Sequence, residues 1–308
     1  MRKIFGIGET VLDILFRDGQ PLASVPGGST FNSMVSLGRR VHRCSNDCEV
    51  LMITDIGDDK VGDMELAFMK DNGMNTSSVL RHEHCQSPIS LAFLDENNDA
   101  SYEFFRSAVQ PELTIDDFSL PPFNHGDIVL FGSFFAVSPR TRSLIKSVIA
   151  KAKEAGCIIY YDVNYRPNHL RDLPKLKGEV LDNIASSTFV KMSSEDAYCL
   201  FSTLDPEIVY NQYVKHLCPC LIITRGSDPA LLYLPESKME FPVDAVDPVS
   251  TIGAGDNFNA GFIYSLVDQA LNFPSCEELH AYPWASLFAS AMAFSREVCM
   301  SLYNYVSK

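Results

Sequence analysis

Short apolar runs alternate with helix-period segments along almost the whole chain, and no other feature restricts the fold as much. The runs at 3–8, 50–54, 128–131, 158–162, 189–192 and 221–224 read as buried strands. The segments 28–41, 61–72, 140–155, 176–185, 195–201, 254–271 and 276–294 carry apolar residues at helical spacing. Strand, helix, strand repeated in this way means a parallel sheet covered on both faces. The predicted class is α/β, a three-layer, doubly wound, mainly parallel sheet. Ligands of such sheets bind beyond the carboxyl ends of the strands, where Asn164, Ser193, Thr224 and Asp256 are expected to lie.

Two segments break the pattern. Residues 11–25 and 87–106 show short alternating runs around turn residues such as Asn97-Asn98-Asp99, and read as hairpins outside the main sheet. No internal repeat or low-complexity linker separates them from the rest, so 1–308 is read as a single domain carrying a small β appendage.

Composition narrows the function classes. A 46% hydrophobic content excludes a disordered chain, and no run of about 18 apolar residues marks a membrane span. The start, Met1-Arg2-Lys3-Ile4, passes directly into a strand with no apolar segment of signal-peptide length, so a cytoplasmic protein is expected. The net charge of −14 argues against nucleic acid as a partner, which needs a basic footprint. The nine cysteines are scattered and odd in number, and read as reduced core thiols. Neither Cys44 with Cys48 nor Cys218 with Cys220 is completed by a second pair at zinc spacing.

The chemistry is concentrated in Ser250-Thr251-Ile252-Gly253-Ala254-Gly255-Asp256. Gly253 and Gly255 have no Cβ, so the backbone can bend until the N–H groups of Gly253, Ala254 and Gly255 converge on one point. The apolar helix that follows turns its positive end toward that point, a setting for phosphate. Asp256, at the helix start, stands within reach of a hydroxyl attacking that phosphate, as the base of a phosphoryl transfer. Taken alone, the four residues Gly-Ala-Gly-Asp fit a turn with an Asp N-cap equally well. Gly6-Ile7-Gly8 lacks the third glycine of a dinucleotide fingerprint, and no Walker sequence occurs.

With these neighbours the chain resembles the ribokinase-like, or PfkB, carbohydrate kinases. Thr251, Gly253, Ala254, Gly255, Asp256, Phe258, Gly261 and Phe262 fall in register with that family's second signature, with Ser250 replacing its leading Asp. Ile4-Phe5-Gly6-Ile7-Gly8-Glu9 followed by Asp13 is similar to the family's first strand and sugar-binding Asp. Pro26-Gly27-Gly28-Ser29-Thr30-Phe31-Asn32 is similar to its first signature. Gly57-Asp58-Asp59-Lys60-Val61-Gly62 matches a Gly-x-Asp-x-x-Gly turn, and Asp162-Val163-Asn164-Tyr165-Arg166 resembles a stretch of fructokinases and 2-keto-3-deoxygluconate kinases. Ser193-Ser194-Glu195 occupies the place of an Asn-x-x-Glu motif, and Thr224-Arg225-Gly226 that of the nucleotide strand and turn.

The resemblance implies a ribokinase-like fold whose hairpins form a lid over a sugar, with ATP and Mg²⁺ as co-substrate and cofactor. It places Asp13, Gly27, Gly28, Asn32, Arg106, Asn164 and Arg166 around the sugar. Ser193, Thr224 and Gly226 fall near the nucleotide, and Glu195 near the metal. Lids of relatives sometimes pair between subunits, so a homodimer is open. The implied reaction carries the γ-phosphoryl group to a primary hydroxyl, with fructose to fructose 6-phosphate favoured because Phe104 and Phe105 offer no hydroxyl to a keto acid. Arg106 and Arg166 keep 2-keto-3-deoxygluconate as the alternative. A reading from a different class is a sugar- or nucleotide-binding protein of the same fold without turnover, which Ser193, Pro229 and Ser250 favour.

Overall fold

Strand β1 (Arg2–Ile7) sends Ile4 into one core and Phe5 and Ile7 into another, because successive side chains of a strand point to opposite faces. The computed structural model describes residues 1–44, 48–94, 100–107, 110–165, 173–274 and 278–308. Each parallel neighbour repeats the division. In the strand Ile128–Gly132, Ile128 and Leu130 enter the core of Ile4, while Val129 and Phe131 enter that of Phe5 and Ile7.

In chain order the strands are β1, β2 (Val11–Arg17), β3 (Gln20–Gly27), β4 (Cys48–Gly57), β5 (Val79–His82), β6 (Ile89–Leu94), β7 (Ala100–Phe105) and β8 (Ile128–Gly132). They continue with β9 (Ile158–Asp162), β10 (Phe189–Ser193), β11 (Cys220–Arg225), β12 (Asp228–Leu234) and β13 (Ser237–Phe241). The main sheet runs β13-β12-β11-β10-β9-β8-β1-β4-β5. It is parallel from β11 to β5, with β12 and β13 antiparallel at one edge.

Helices α1 (Ser29–Cys44), α2 (Lys60–Asp71), α7 (Ala254–Asp268) and α8 (Trp284–Cys299) cover one face, burying Phe31, Met69, Phe262 and Phe288. Helices α3 (Arg142–Glu154), α4 (Leu173–Ala185), α5 (Ser194–Phe201) and the short α6 (Pro206–Val209) cover the other. A three-layer α/β architecture follows, as the alternation predicts. The two hairpins, β2–β3 and β6–β7, pair with each other through parallel β2 and β6 into a separate four-stranded sheet. The 97–99 turn predicted within it lies outside the described residues.

One expectation needs correction. The helix predicted at 276–294 begins only at Trp284 and runs on to Cys299. Tyr282, which precedes Pro283, takes ψ 143°, because the proline ring disfavours helical geometry before it. β12 is absent from the predicted strands although its Ala230–Leu234 is an apolar, buried run, whereas the edge strand β13 carries too mixed a polarity to read as a buried strand. Pro229 lies at the irregular start of β12, after the turn that Gly226 (φ 62°) and Ser227 make. Of the cysteines, Cys157, Cys218 and Cys220 are free and buried. No helix among the described residues is long and apolar enough to cross a membrane.

Candidate active site

The chain leaves β1 toward β4 and β5 on one side, then returns to place β8 and its successors on the other. Neighbouring crossovers thus depart from β1 and β8 in opposite directions, which opens a crevice at their carboxyl ends. Ser29, at the start of α1, and Ser133, just after β8, meet across it with hydroxyls 2.5 Å apart.

Asp256 reaches this crevice from α7. It does not follow a parallel strand, as expected, but is delivered by the strandless stretch 242–253. The residue is 6% exposed; its carboxylate accepts a hydrogen bond from the Asn32 side-chain amide at 2.8 Å, and Ser33 Oγ donates to its backbone carbonyl at 2.7 Å. Asn32 belongs to α1, which starts immediately after Gly27-Gly28. A Cβ on Gly27 would fall 2.3 Å from Asp13 Oδ2, so any side chain here would displace the carboxylate from its present position. Gly28 takes φ 124° with no room for a Cβ against the Glu9 carbonyl, 2.3 Å away. Asp13, in β2, accepts from Ser90 Oγ at 2.5 Å. Burial pushes its carboxyl up to about 6, against a smaller lowering by Ser90. Asp13, Gly27, Gly28, Asn32 and Asp256 are therefore one contiguous group.

Gly253 caps α7 in the left-handed region at φ 78°. Asn257 Nδ2 donates to the carbonyls of Gly253 and Asn304, both at 2.8 Å, and Ser36 Oγ donates to Asn257 Oδ1 at 2.5 Å. The turn is thus pinned between α1, α7 and the C-terminal segment. First-turn amides have no carbonyl one turn ahead to bond. The expected trio is corrected in one member, because the Ala254 N–H turns back to the Thr251 carbonyl at 3.2 Å.

The predicted nucleotide side is more mixed. Ser193 Oγ accepts from the Asp196 amide at 3.0 Å and Asp196 Oδ2 from the Ser193 amide at 2.7 Å, a reciprocal cap on α5. The residue three positions on from Ser193 is Asp196, not Glu195. Asp196 is buried, and its other oxygen accepts from the Tyr165 amide at 2.7 Å. Glu195 is exposed in the same turn. Thr224 pairs with Ser193 across β10 and β11, and Gly226 follows in the hairpin turn. Among the described residues no cluster of three His, Cys, Asp or Glu could enclose a metal. The exposed Glu195 carboxylate suits Mg²⁺ only through water, with phosphate oxygens completing the shell.

Arg106 donates to Glu9 Oε2 at 2.7 Å and lies 5.2 Å from the centre of the Phe104 ring. Asn164 follows β9 with φ 37°. Arg166 lies outside the described residues. Sequence reasoning missed Lys191, whose ammonium is bonded to Asp162 Oδ1 at 3.1 Å, while Asn259 Nδ2 holds Asp162 Oδ2 at 2.7 Å. The available signal is a lone Lys inside the apolar run Phe189-Val190-Lys191-Met192.

A crevice at the strand switch, a glycine turn capping a helix and a held carboxylate make a site for phosphoryl transfer to a hydroxyl. The pfkB family carbohydrate kinase profile matches residues 1–295, and the chain belongs to that family. It is 26% identical over 269 residues to the aminoimidazole riboside kinase of Salmonella typhimurium, covering 86% of this chain and 81% of that protein. It is also 26% identical over 264 residues to a fructokinase of Rhizobium leguminosarum bv. trifolii, covering 84% and 78%. The crystal structure of a Vibrio cholerae fructokinase with fructose, ADP and calcium superposes with a TM-score of 0.82 at 23% identity, covering 99% of this chain and 94% of that one.

Proposed function

We propose that this chain is a cytoplasmic, ATP-dependent sugar kinase that carries the γ-phosphoryl group to the 6-hydroxyl of D-fructose. The observation that supports it best is the junction of Asp256 with Asn32 and the Gly27-Gly28-Asp13 floor. That junction sets a base directly between a polyhydroxy site and a glycine turn.

In this reading the sugar lies over Gly27 and Gly28, where no Cβ keeps it away, and its hydroxyls donate to Asp13. Asp256 takes the proton of the attacking hydroxyl as the bond to phosphorus forms. The amides of the first turn of α7, that of Ala254 excepted, receive the charge that builds on the phosphoryl oxygens. Mg²⁺, when bound near Glu195, would neutralise phosphate charge. The free, buried thiols of Cys157, Cys218 and Cys220 suit a reducing compartment.

Fructose is favoured over a keto acid because the Arg106 guanidinium is already bonded to Glu9, which leaves less of its charge for a substrate carboxylate. The test is ADP release measured over fructose, 2-keto-3-deoxygluconate, aminoimidazole riboside and ribose at low concentration, with the product identified by ³¹P NMR. The highest kcat/KM on fructose, with phosphate on its 6-oxygen, is the expected result. A tenfold preference for the keto acid would replace the substrate and keep the kinase, and binding without ADP release would favour the non-catalytic reading.

A further inference from the structure

Gly255 has no conformational reason to be glycine. Its φ is not in the left-handed region, and it sits in a regular first helical turn where any residue is allowed. A Cβ at this position would have a single neighbour within 4 Å, the Lys191 ammonium, at 2.9 Å. The missing side chain makes room for a cation directly over the phosphate turn.

Lys191 reaches that point from β10, with its side chain 5% exposed. Its partner Asp162 is held on the opposite oxygen by Asn259, whose own Oδ1 accepts from the Tyr160 hydroxyl at 3.1 Å, so the pair cannot swing away. Burial alone would lower the Lys191 pKa, but Asp162, Asp196 and Asp256 outweigh it and raise it, so the ammonium stays charged. An ammonium carries three donors. Among the described residues Asp162 is the one acceptor bonded to it. A buried cation with donors to spare, beside first-turn helix amides, calls for an anion.

We propose that Lys191 Nζ is a direct ligand of the phosphoryl group in transfer, a contact that ATP makes and ADP does not. The inference rests on the kinase reading above. As the acceptor oxygen bonds to phosphorus, the bond to the β-phosphate oxygen breaks and its electron pair leaves with ADP. The hydroxyl proton goes to Asp256, and Lys191 keeps its proton throughout. Its charge offsets what builds on the equatorial oxygens.

Calorimetric titration of the whole chain with a non-hydrolysable ATP analogue and with ADP, both with Mg²⁺, tests this. Lys191→Met is expected to weaken the analogue by about tenfold to a hundredfold, the size of a lost charged hydrogen bond, with ADP affinity within twofold of the parent. Because Lys191→Met leaves Asp162 buried without its cation, the double variant Lys191→Met/Asp162→Asn removes both charges and should show the same contrast in a chain that melts cooperatively. Equal weakening of analogue and ADP, or no weakening of either, overturns the proposal. Absence of phosphoryl transfer to any sugar in the parent would sink the kinase reading, whereas the contrast between the two nucleotides reads the lysine contact separately.

Discussion

Asn32 donates its side-chain amide to Asp256 Oδ2 at 2.8 Å, and its own buried carbonyl oxygen has no hydrogen-bond partner among the described residues. A carboxylate only accepts, so the NH₂ end must face Asp256 and the oxygen must face the other way. A buried carbonyl left unmet is costly, and a sugar hydroxyl in the crevice would meet it. Asn32 would then read the substrate with one atom and orient the base with the other. Replacing it with Asp would set two carboxylates together, so that one holds its proton to higher pH. The acid limb of the kcat profile of Asn32→Asp is expected to move up by about one pH unit or more. An unmoved limb would mean that Asn32 does not set the base.

Asp256→Asn keeps the shape of the side chain and loses its capacity to accept a proton. Turnover is expected to fall by about two to four decades, the contribution of a general base, while titrations show sugar and nucleotide still binding. A variant turning over near the parental rate would remove Asp256 from the mechanism.

Six of the seven parallel strands are legible in the sequence because both their faces are buried, so Ile128 to Phe131 is apolar without a break, whereas β5, half-buried at the sheet edge, is not. The turn at Gly253 to Asp256 is legible only together with its neighbours Thr251, Phe258, Gly261 and Phe262, since alone it fits a capped turn equally well. β13 is not, since its Ser237-Lys238-Met239-Glu240-Phe241 lies on the sheet edge with half its residues toward water. Nor is the setting of Lys191, which joins β9, β10 and α7 only in three dimensions. Glu9 and Arg106 are 97 positions apart, so nothing local announces their ion pair.

Asp13 loses its charge at higher pH than an ordinary carboxyl, because burial holds it up to about 6. The anion, the better acceptor for sugar hydroxyls, is present above that value and lost as pH falls through it. KM for the sugar is accordingly expected to rise below about pH 6, while KM for ATP stays level. Asp13→Asn should have a high sugar KM that no longer varies between pH 5 and 7. A parental sugar KM that is flat across this window would contradict the role given to Asp13.

Glu65 anchors the entry to the small sheet. On α2, with no exposed surface, it accepts from Thr10 Oγ1 at 3.4 Å, just before β2 begins, and its other oxygen has no hydrogen-bond partner among the described residues. At its N-terminus the same helix grips the other entry, where Asp59 accepts from the Ser87 amide and hydroxyl, each at 2.8 Å. Burial pushes the Glu65 carboxyl up to about 8, with Asp59, Glu9 and Asp13 adding to the rise. The folded chain therefore keeps this proton between about pH 4.5 and 8, whereas the unfolded chain releases it. Over that window the group's contribution to stability falls as pH rises, by up to about 1.4 kcal/mol per pH unit. Glu65→Gln stays neutral in both states and escapes the loss. Its stability relative to the parent, from urea unfolding, is expected to increase steadily from pH 5 to pH 8. A difference that stays constant over this range would show that Glu65 does not hold its proton in the folded chain.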